Sequence, residues 1–240
     1  MSQAQQPLVN PFRKPGGARP VYAKVGIFAE SGGGKTHFAL NAPKPAIVDP
    51  ESGTEWFRGQ TGFGDWEVMQ NLFGDVVDQV HYALTYLEHG FERETVYDPV
   101  LKNTIERLTH RRIMHKDEAS GVMYPVHDRE TFVMDPITLI WDQIQFEQAT
   151  KIARSREDFV HKDWGEMKRD YKSLLNRFIQ LPMHVIVLAR HAYEKDQDTG
   201  KVTGERMDAE KSTIYSFDLA FQLVEKNSRR DAIIYKDRSN

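Results

Sequence analysis

The sequence contains no cysteine, so neither a disulfide scaffold nor a thiolate metal site is open to it. No apolar run approaches the roughly 20 residues of a membrane-spanning helix. The first residues, MSQAQQPLVNPF, lack the apolar stretch of a secretory leader. The expectation is therefore a soluble, cytoplasmic protein. An excess of positive charge is also missing: 32 Lys and Arg stand against 35 Asp and Glu, for a formal net charge of −3. Nucleic-acid binding would have to come from a local patch, not from the charge of the whole chain. No internal repeat is visible. What remains is a chain of 240 residues, 40% hydrophobic. That is enough for one α/β domain with insertions and short for two full domains.

Residues 1–20 are rich in Gln, Pro, Gly and Arg without periodicity and are expected to form a flexible arm carrying Arg13, Lys14 and Arg19. Order is expected over 21–240. Val21 to Phe28 is an apolar run that predicts a strand, followed by a Gly-rich turn and a helix from Lys35 to Leu40 that Pro43 and Pro45 close. Ala46 to Asp49 predicts a second buried strand. Phe73, Val76, Val77, Val80, Leu84 and Leu87 fall at helical spacing, and Leu101, Ile105 and Leu108 suggest another helix. The region of roughly 90–128 is read as an insertion or extended loop. Thr131 to Asp135 predicts a third strand, followed by a helix with Ile137, Ile140, Trp141 and Ile144 on one face. Asp163 to Gln180 is the clearest amphipathic helix. His184 to Ala189 is a buried strand, residues 191–212 are polar with a hairpin turn at Asp198-Thr199-Gly200-Lys201, and further strands fit Leu219–Val224 and Ala232–Tyr235. Strands alternating with helices imply a mostly parallel sheet with helices on both faces.

The strongest motif is Ala29-Glu30-Ser31-Gly32-Gly33-Gly34-Lys35-Thr36, with His37 next. It matches the phosphate-loop pattern G-x-x-x-x-G-K-[ST], except that Ala29 replaces the first glycine. Small residues let backbone N–H groups wrap a β-phosphate, Lys35 reaches the β- and γ-phosphates, and the Thr36 hydroxyl suits Mg²⁺. A strand leads in and a helix leads out, as the pattern requires. ATP with Mg²⁺ is the expected cofactor pair, and residues 29–37 are the expected nucleotide-binding residues. An NTPase of this type needs an acid on a neighbouring strand to hold the metal's shell; Asp135, closing Thr131-Phe132-Val133-Met134, is the candidate. It is equally placed to cap the helix after Pro136.

Ile47-Val48-Asp49-Pro50-Glu51-Ser52-Gly53 resembles the second-strand segment of RecA-like ATPases, and the resemblance makes Glu51 the catalytic base, with Asp49 the alternative acid. Ile233-Ile234-Tyr235-Lys236-Asp237-Arg238 is similar to the strand-then-Lys-x-Arg element of RecA-like helicases and recombinases; it implies that Lys236 and Arg238 reach a neighbouring subunit's γ-phosphate. Leu188-Ala189-Arg190-His191 ends a strand where a nucleotide is expected, so Arg190 or His191 is a candidate γ-phosphate sensor. Across 21–240 this order resembles the small, single-domain, phage-encoded AAA-domain ATPases of recombination modules. Val133-Met134-Asp135-Pro136-Ile137-Thr138 is similar to their acid segment, with Pro136 in place of a small polar residue.

The resemblance implies a RecA-like α/β fold, self-assembly through the nucleotide interface, and action on DNA, single-stranded DNA being the expected partner, in recombination or annealing in the host cytoplasm. Candidate DNA contacts are Lys201, Arg206 and Lys211 in the polar loop and Arg111, Arg112 and Lys116 in the insertion. A second reading is a nucleotide-dependent assembly or switch protein that handles protein partners without DNA. A small-molecule kinase is disfavoured, because no compact Arg cluster marks a closing lid.

Overall fold

The computed structural model describes residues 22–238 apart from 71–73, 99–101, 119, 197–198 and 228. The expected N-terminal arm with Arg13, Lys14 and Arg19, together with Val21, Phe73, Leu101 and Asp198, lies outside the described residues.

The chain opens with β1 (Lys24–Ala29), the phosphate-loop residues, and a short α1 (Lys35–Leu40). β2 (Pro45–Val48) follows, then a 3₁₀ turn (Gly53–Phe57) and β3 (Glu67–Met69). Helix α2 (Val76–His89) starts at Asp75, whose side chain accepts from Asp78 N at 2.9 Å, an N-cap of the usual kind. Next come β4 (Phe91–Asp98), β5 (Asn103–Arg112), β6 (Met114–Lys116), β7 (Met123–Pro125) and β8 (Thr131–Met134). Helices α3 (Thr138–Ile152) and α4 (His161–Gln180) precede β9 (His184–Lys195), β10 (Val202–Met207), β11 (Leu219–Lys226) and β12 (Arg229–Asp237).

Among the described residues the main sheet has eight strands in the order β12-β11-β1-β9-β8-β2-β3, with β10 attached to β9. The ladders from β11 through β3 are parallel, while β12 and β10 pair antiparallel. This is an α/β fold with a mostly parallel sheet. Its strands are buried on both sides, as continuous apolar runs require. Phe28, Val48, Phe132, Met134, Val185 and Val187 face one way, against Leu84 and Leu87 of α2, Ile140 and Ile144 of α3, and Met167, Tyr171, Leu174 and Phe178 of α4. The alternate residues Ile27, Ile47, Val133, Ile186 and Leu188 face the other way, toward Ala39 and Leu40 of α1. Helices thus lie on both faces, three on one and the short α1 on the other.

One expected element is corrected. Ile105 and Leu108 do not belong to a helix: Asn103–Arg112 is β5, paired antiparallel with β4, with Val96 opposite Ile105 and Arg93 opposite Leu108. Three-residue spacing puts these two on opposite faces of a strand, and both are only half-buried; the β-branched Thr104, Ile105 and Thr109 favour the pleated form. The stretch 90–128 carries two antiparallel ribbons, β4–β5 and β6–β7, outside the main sheet. Arg112 ties them down by donating to His127 O (2.8 Å) and Arg129 O (2.6 Å) while lying over the Phe91 ring. The strand expected at His184–Ala189 runs on to Lys195, its last five residues pairing with β10.

Candidate functional site

Parallel register gathers the expected chemistry at one edge. Ala29 stands opposite Arg190, and Val48 opposite Met134, so the residues that follow these strand ends crowd together at the carboxyl side of the sheet. Open α/β sheets hold their ligands there. A cleft of about 730 Å³ opens at this edge, lined among others by residues 29–32, Gly34 to His37, Asp49, Glu51, Asp135, Arg190 and His191.

The loop geometry depends on its glycines. Gly32 and Gly34 have φ of 77° and 90°, the left-handed region that glycine enters at no steric cost. Gly33 explains how Ala29 is tolerated in place of the first glycine: a Cβ added to Gly33 would sit 2.8 Å from the Ala29 Cβ. One methyl fits here, and two would not. Lys35 Nζ donates to Ala29 O and Glu30 O, each at 3.0 Å, so the ammonium lies across the loop. Its burial lowers the pKa below the ordinary lysine value, against the pull of Asp135 and Glu51.

Thr36 Oγ1 donates to Asp135 Oδ2 at 2.6 Å across 99 residues of sequence. Asp135 is buried, and desolvation pushes its carboxyl up to about 6; Asp49 and Glu51 act in the same direction, while Thr36 and Lys35 oppose it. Asp49 is 1% exposed. Its carboxylate accepts from Gly53 N (3.1 Å), Thr54 N (2.7 Å) and Thr54 Oγ1 (2.6 Å), which anchors the turn after β2. That turn presents Glu51, partly exposed, to the Arg190 guanidinium, with which it forms an ion pair. Arg190 is fixed in turn by its backbone: its N–H donates to Thr138 Oγ1 at 3.0 Å, and its carbonyl accepts from Asp208 N at 2.8 Å.

The family model described as the AAA domain matches residues 22–238, nearly the whole chain. The chain belongs to this AAA-domain family. Family membership and the phosphate loop together make it a nucleotide-binding P-loop protein. No curated protein matches the chain. Among solved structures it is similar to the flagellar accessory protein FlaH from Methanocaldococcus jannaschii, with 12% identity over 92% of this chain and 81% of that one, at a TM-score of 0.34.

Not every expected site residue of this AAA-domain chain lies in the cleft. β12 runs antiparallel to β11, so its last residues stand at the amino side of the sheet. There Lys236 Nζ donates to Tyr215 O and Phe217 O, and Arg238 Nη2 to Tyr215 O at 3.0 Å. Within one chain this pair closes a 3₁₀ turn at the edge away from the phosphate loop. His191 borders the cleft but is nearly buried, stacked beside Phe28, with its Nε2 3.3 Å from Glu205 Oε2. Two of the proposed DNA contacts are engaged internally: Arg206 donates to Met207 O (3.1 Å) and Ala209 O (3.2 Å), and Arg112 anchors the ribbons. Lys201, Lys211, Arg111 and Lys116 are exposed, Arg111 pairing with Glu92 at 3.1 Å. No helix among the described residues is long and apolar enough to cross a membrane.

The structure also brings in residues that the sequence did not single out. Arg230 lines the cleft, its side chain against Gly34. Tyr193 of β9 donates to Glu30 Oε1 at 3.4 Å, joining the β9–β10 hairpin to the phosphate loop. Trp56, 82% exposed, stands at the rim beyond Glu51. None of the three falls in a recognisable motif; Arg230 sits in a run of charged residues whose strand direction decides which end of the sheet it reaches.

Proposed function

We propose that this chain is a Mg²⁺-dependent ATPase. The observation that carries the reading is the convergence on one cleft of Lys35, the Thr36–Asp135 contact at 2.6 Å and the Glu51–Arg190 pair. Thr36 Oγ1 and Asp135 are hard oxygen ligands of the kind Mg²⁺ takes. Among the described residues no cluster of three His, Cys, Asp or Glu could hold a metal. An ion at Thr36 and Asp135 would be held by one or two protein oxygens together with phosphates and water. When bound, Mg²⁺ would supply charge neutralisation at the β- and γ-oxygens.

The chain's own groups divide the work. The loop N–H groups and Lys35 hold the phosphates. Glu51 accepts the proton of a water that adds to the γ-phosphorus as the bond to the bridging oxygen breaks and ADP leaves. Arg190, already paired with Glu51, lies where it can bind the terminal phosphate and orient that carboxylate. Asp49 is spent on the turn, which favours Glu51 as the base. Lys35→Ala is expected to abolish tight ATP binding or turnover, and an unchanged steady-state ATPase rate would overturn the assignment.

By its resemblance to recombination-module ATPases, this ATPase acts on DNA and assembles through its nucleotide interface, with Lys236 and Arg238 offered to a neighbour. Exposed Lys201, Lys211, Arg111 and Lys116 are the remaining phosphate contacts. Binding to single-stranded DNA in the presence of a non-hydrolysable ATP analogue should weaken steeply with added salt. Absence of such binding would favour the protein-partner reading.

A further inference from the structure

The geometry points to a nucleobase subsite in the recess between α1 and the β11–β12 hairpin, with Arg230 stacked on the base. The inference rests on the reading of the cleft as an ATP site and deepens it by saying where the nucleoside goes.

The recess is a largely apolar hollow of about 520 Å³ beside α1, floored by Val25 of β1 and Ile186 of β9 and running from Arg230 and Leu223 to Thr131 at the amino edge of the sheet. It shares Gly34, His37 and Arg230 with the phosphate cleft, so the two hollows meet at the end of the phosphate loop. Direction follows from the sheet. Glu51 follows β2, Asp135 follows β8 and Arg190 lies within β9, all on one side of β1 in the strand order, while β11 and β12 lie on the other. A triphosphate crossing the loop with its terminal phosphate toward Glu51 and Arg190 leaves its nucleoside near Gly34 and Arg230, where the recess opens. This also separates the recess from Trp56, whose exposed ring stands on the Glu51 side.

The lining has the chemistry a base needs. Phe38 is 43% exposed, and its ring is held edge-on by Phe221 at 5.6 Å and 72°. Leu223 supplies an aliphatic wall. Asn41, whose amide nitrogen donates to His37 O at 2.8 Å, brings a polar amide to the rim. Arg230 lies flat against the loop: a Cβ on Gly34 would come within 3.2 Å of its Nε and Cζ. Its neighbour Arg229 pairs with Asp231 at 3.0 Å, whereas Arg230 has no hydrogen bond or ion pair among the described residues. An unpaired planar guanidinium at the junction of a phosphate loop and an apolar recess suits stacking on an aromatic base.

The test compares MgATP with magnesium tripolyphosphate, which has the phosphates but no nucleoside, by calorimetric titration of the wild type, Arg230→Ala, Arg230→Lys and Phe38→Ala. The wild type is expected to bind MgATP more tightly than tripolyphosphate. Arg230→Ala, at an exposed edge position where folding is not at stake, should narrow that gap roughly ten-fold, the worth of a partly desolvated cation–π contact. Arg230→Lys should recover only part of it, and Phe38→Ala should narrow it as well. If both ligands weaken equally in Arg230→Ala, Arg230 is a phosphate contact and the subsite is refuted. An unchanged gap in all variants places the base elsewhere, and an altered oligomeric state with an unchanged gap assigns the recess to a second copy of the chain. Failure of the wild type to bind either ligand would overturn the ATP reading itself, and the subsite with it.

Discussion

Replacing Asp135 by Asn should make the nucleotide-free protein more stable while crippling its use of Mg²⁺ and ATP. In the folded protein the Asp135 carboxyl is raised from 3.8 to about 6, chiefly by desolvation and then by the neighbouring acids. A folded-state value above the unfolded one means that the native chain holds this proton more tightly. Stability is therefore greatest where the carboxyl is protonated in both states and falls as pH rises through the window from about 4 to about 6. A shift of about two units costs about 3 kcal/mol once both states are ionised, and about 1 kcal/mol of that has set in by roughly pH 4.5. Asn is neutral throughout and keeps the shape that meets Thr36. Denaturant unfolding in chelator, without nucleotide, should show Asp135→Asn more stable than the wild type by up to about 3 kcal/mol near pH 8 and by about 1 kcal/mol near pH 4.5. The same variant should lose Mg²⁺-dependent ATP binding. A stability difference independent of pH, or an Asn variant less stable at pH 8, would refute the reasoning that Asp135 is held ionised at a cost.

Glu51→Gln is expected to bind ATP normally and to turn it over about 10²–10⁴ times more slowly. Asp49→Asn should instead lower stability by about 2 kcal/mol through its lost buried bonds, with any loss of rate secondary to a loosened turn. Steady-state rates beside melting curves check both, and normal turnover by Glu51→Gln would remove it as the base. For Lys236 and Arg238, mixing Arg238→Ala with Lys35→Ala should restore some turnover if the pair serves a neighbouring site. Unfolding curves in which Arg238→Ala is weaker, with no complementation on mixing, would leave the pair as a clamp on the Tyr215–Phe217 turn.

The phosphate loop, the strand ending in Asp135 and the amphipathic α4 were legible because each couples a local pattern to a distinctive residue. At α4 the buried Met167, Tyr171, Leu174, Leu175 and Phe178 fall at helical spacing, and nothing competes with the helix. At β5 the same spacing misled, because Ile105 and Leu108 are only half-buried and ribbon pairing with β4 overrode the pattern. The sequence preferred Glu51 to Asp49 only by resemblance. Both acids fit the segment, and only the folded turn shows that Asp49 is consumed by Gly53 and Thr54. Arg230 escaped notice because a single basic residue in a charged run says nothing until its strand is placed.

The direction of β12 decides what its cations can do. Its first residues stand opposite the end of β11, Arg229 facing Lys226, while Asp237 faces Leu219 at the start. A strand of nine residues spans about 30 Å at roughly 3.3 Å per residue. Arg230 and Arg238 therefore lie at opposite ends of the sheet. The near end meets the phosphate loop of its own chain, and the far end is too distant to reach it without dismantling the ladder. If Lys236 and Arg238 act on a phosphate, that phosphate must belong to another subunit whose cleft faces the amino edge of this sheet. The carbonyls of Tyr215 and Phe217 that now hold them would have to be given up. A finger role thus demands both an oligomer and a local rearrangement, whereas Arg230 requires neither. That difference makes Arg230 the cation expected to affect nucleotide binding in dilute, monomeric protein, and Arg238 the one whose effect on turnover should grow with protein concentration.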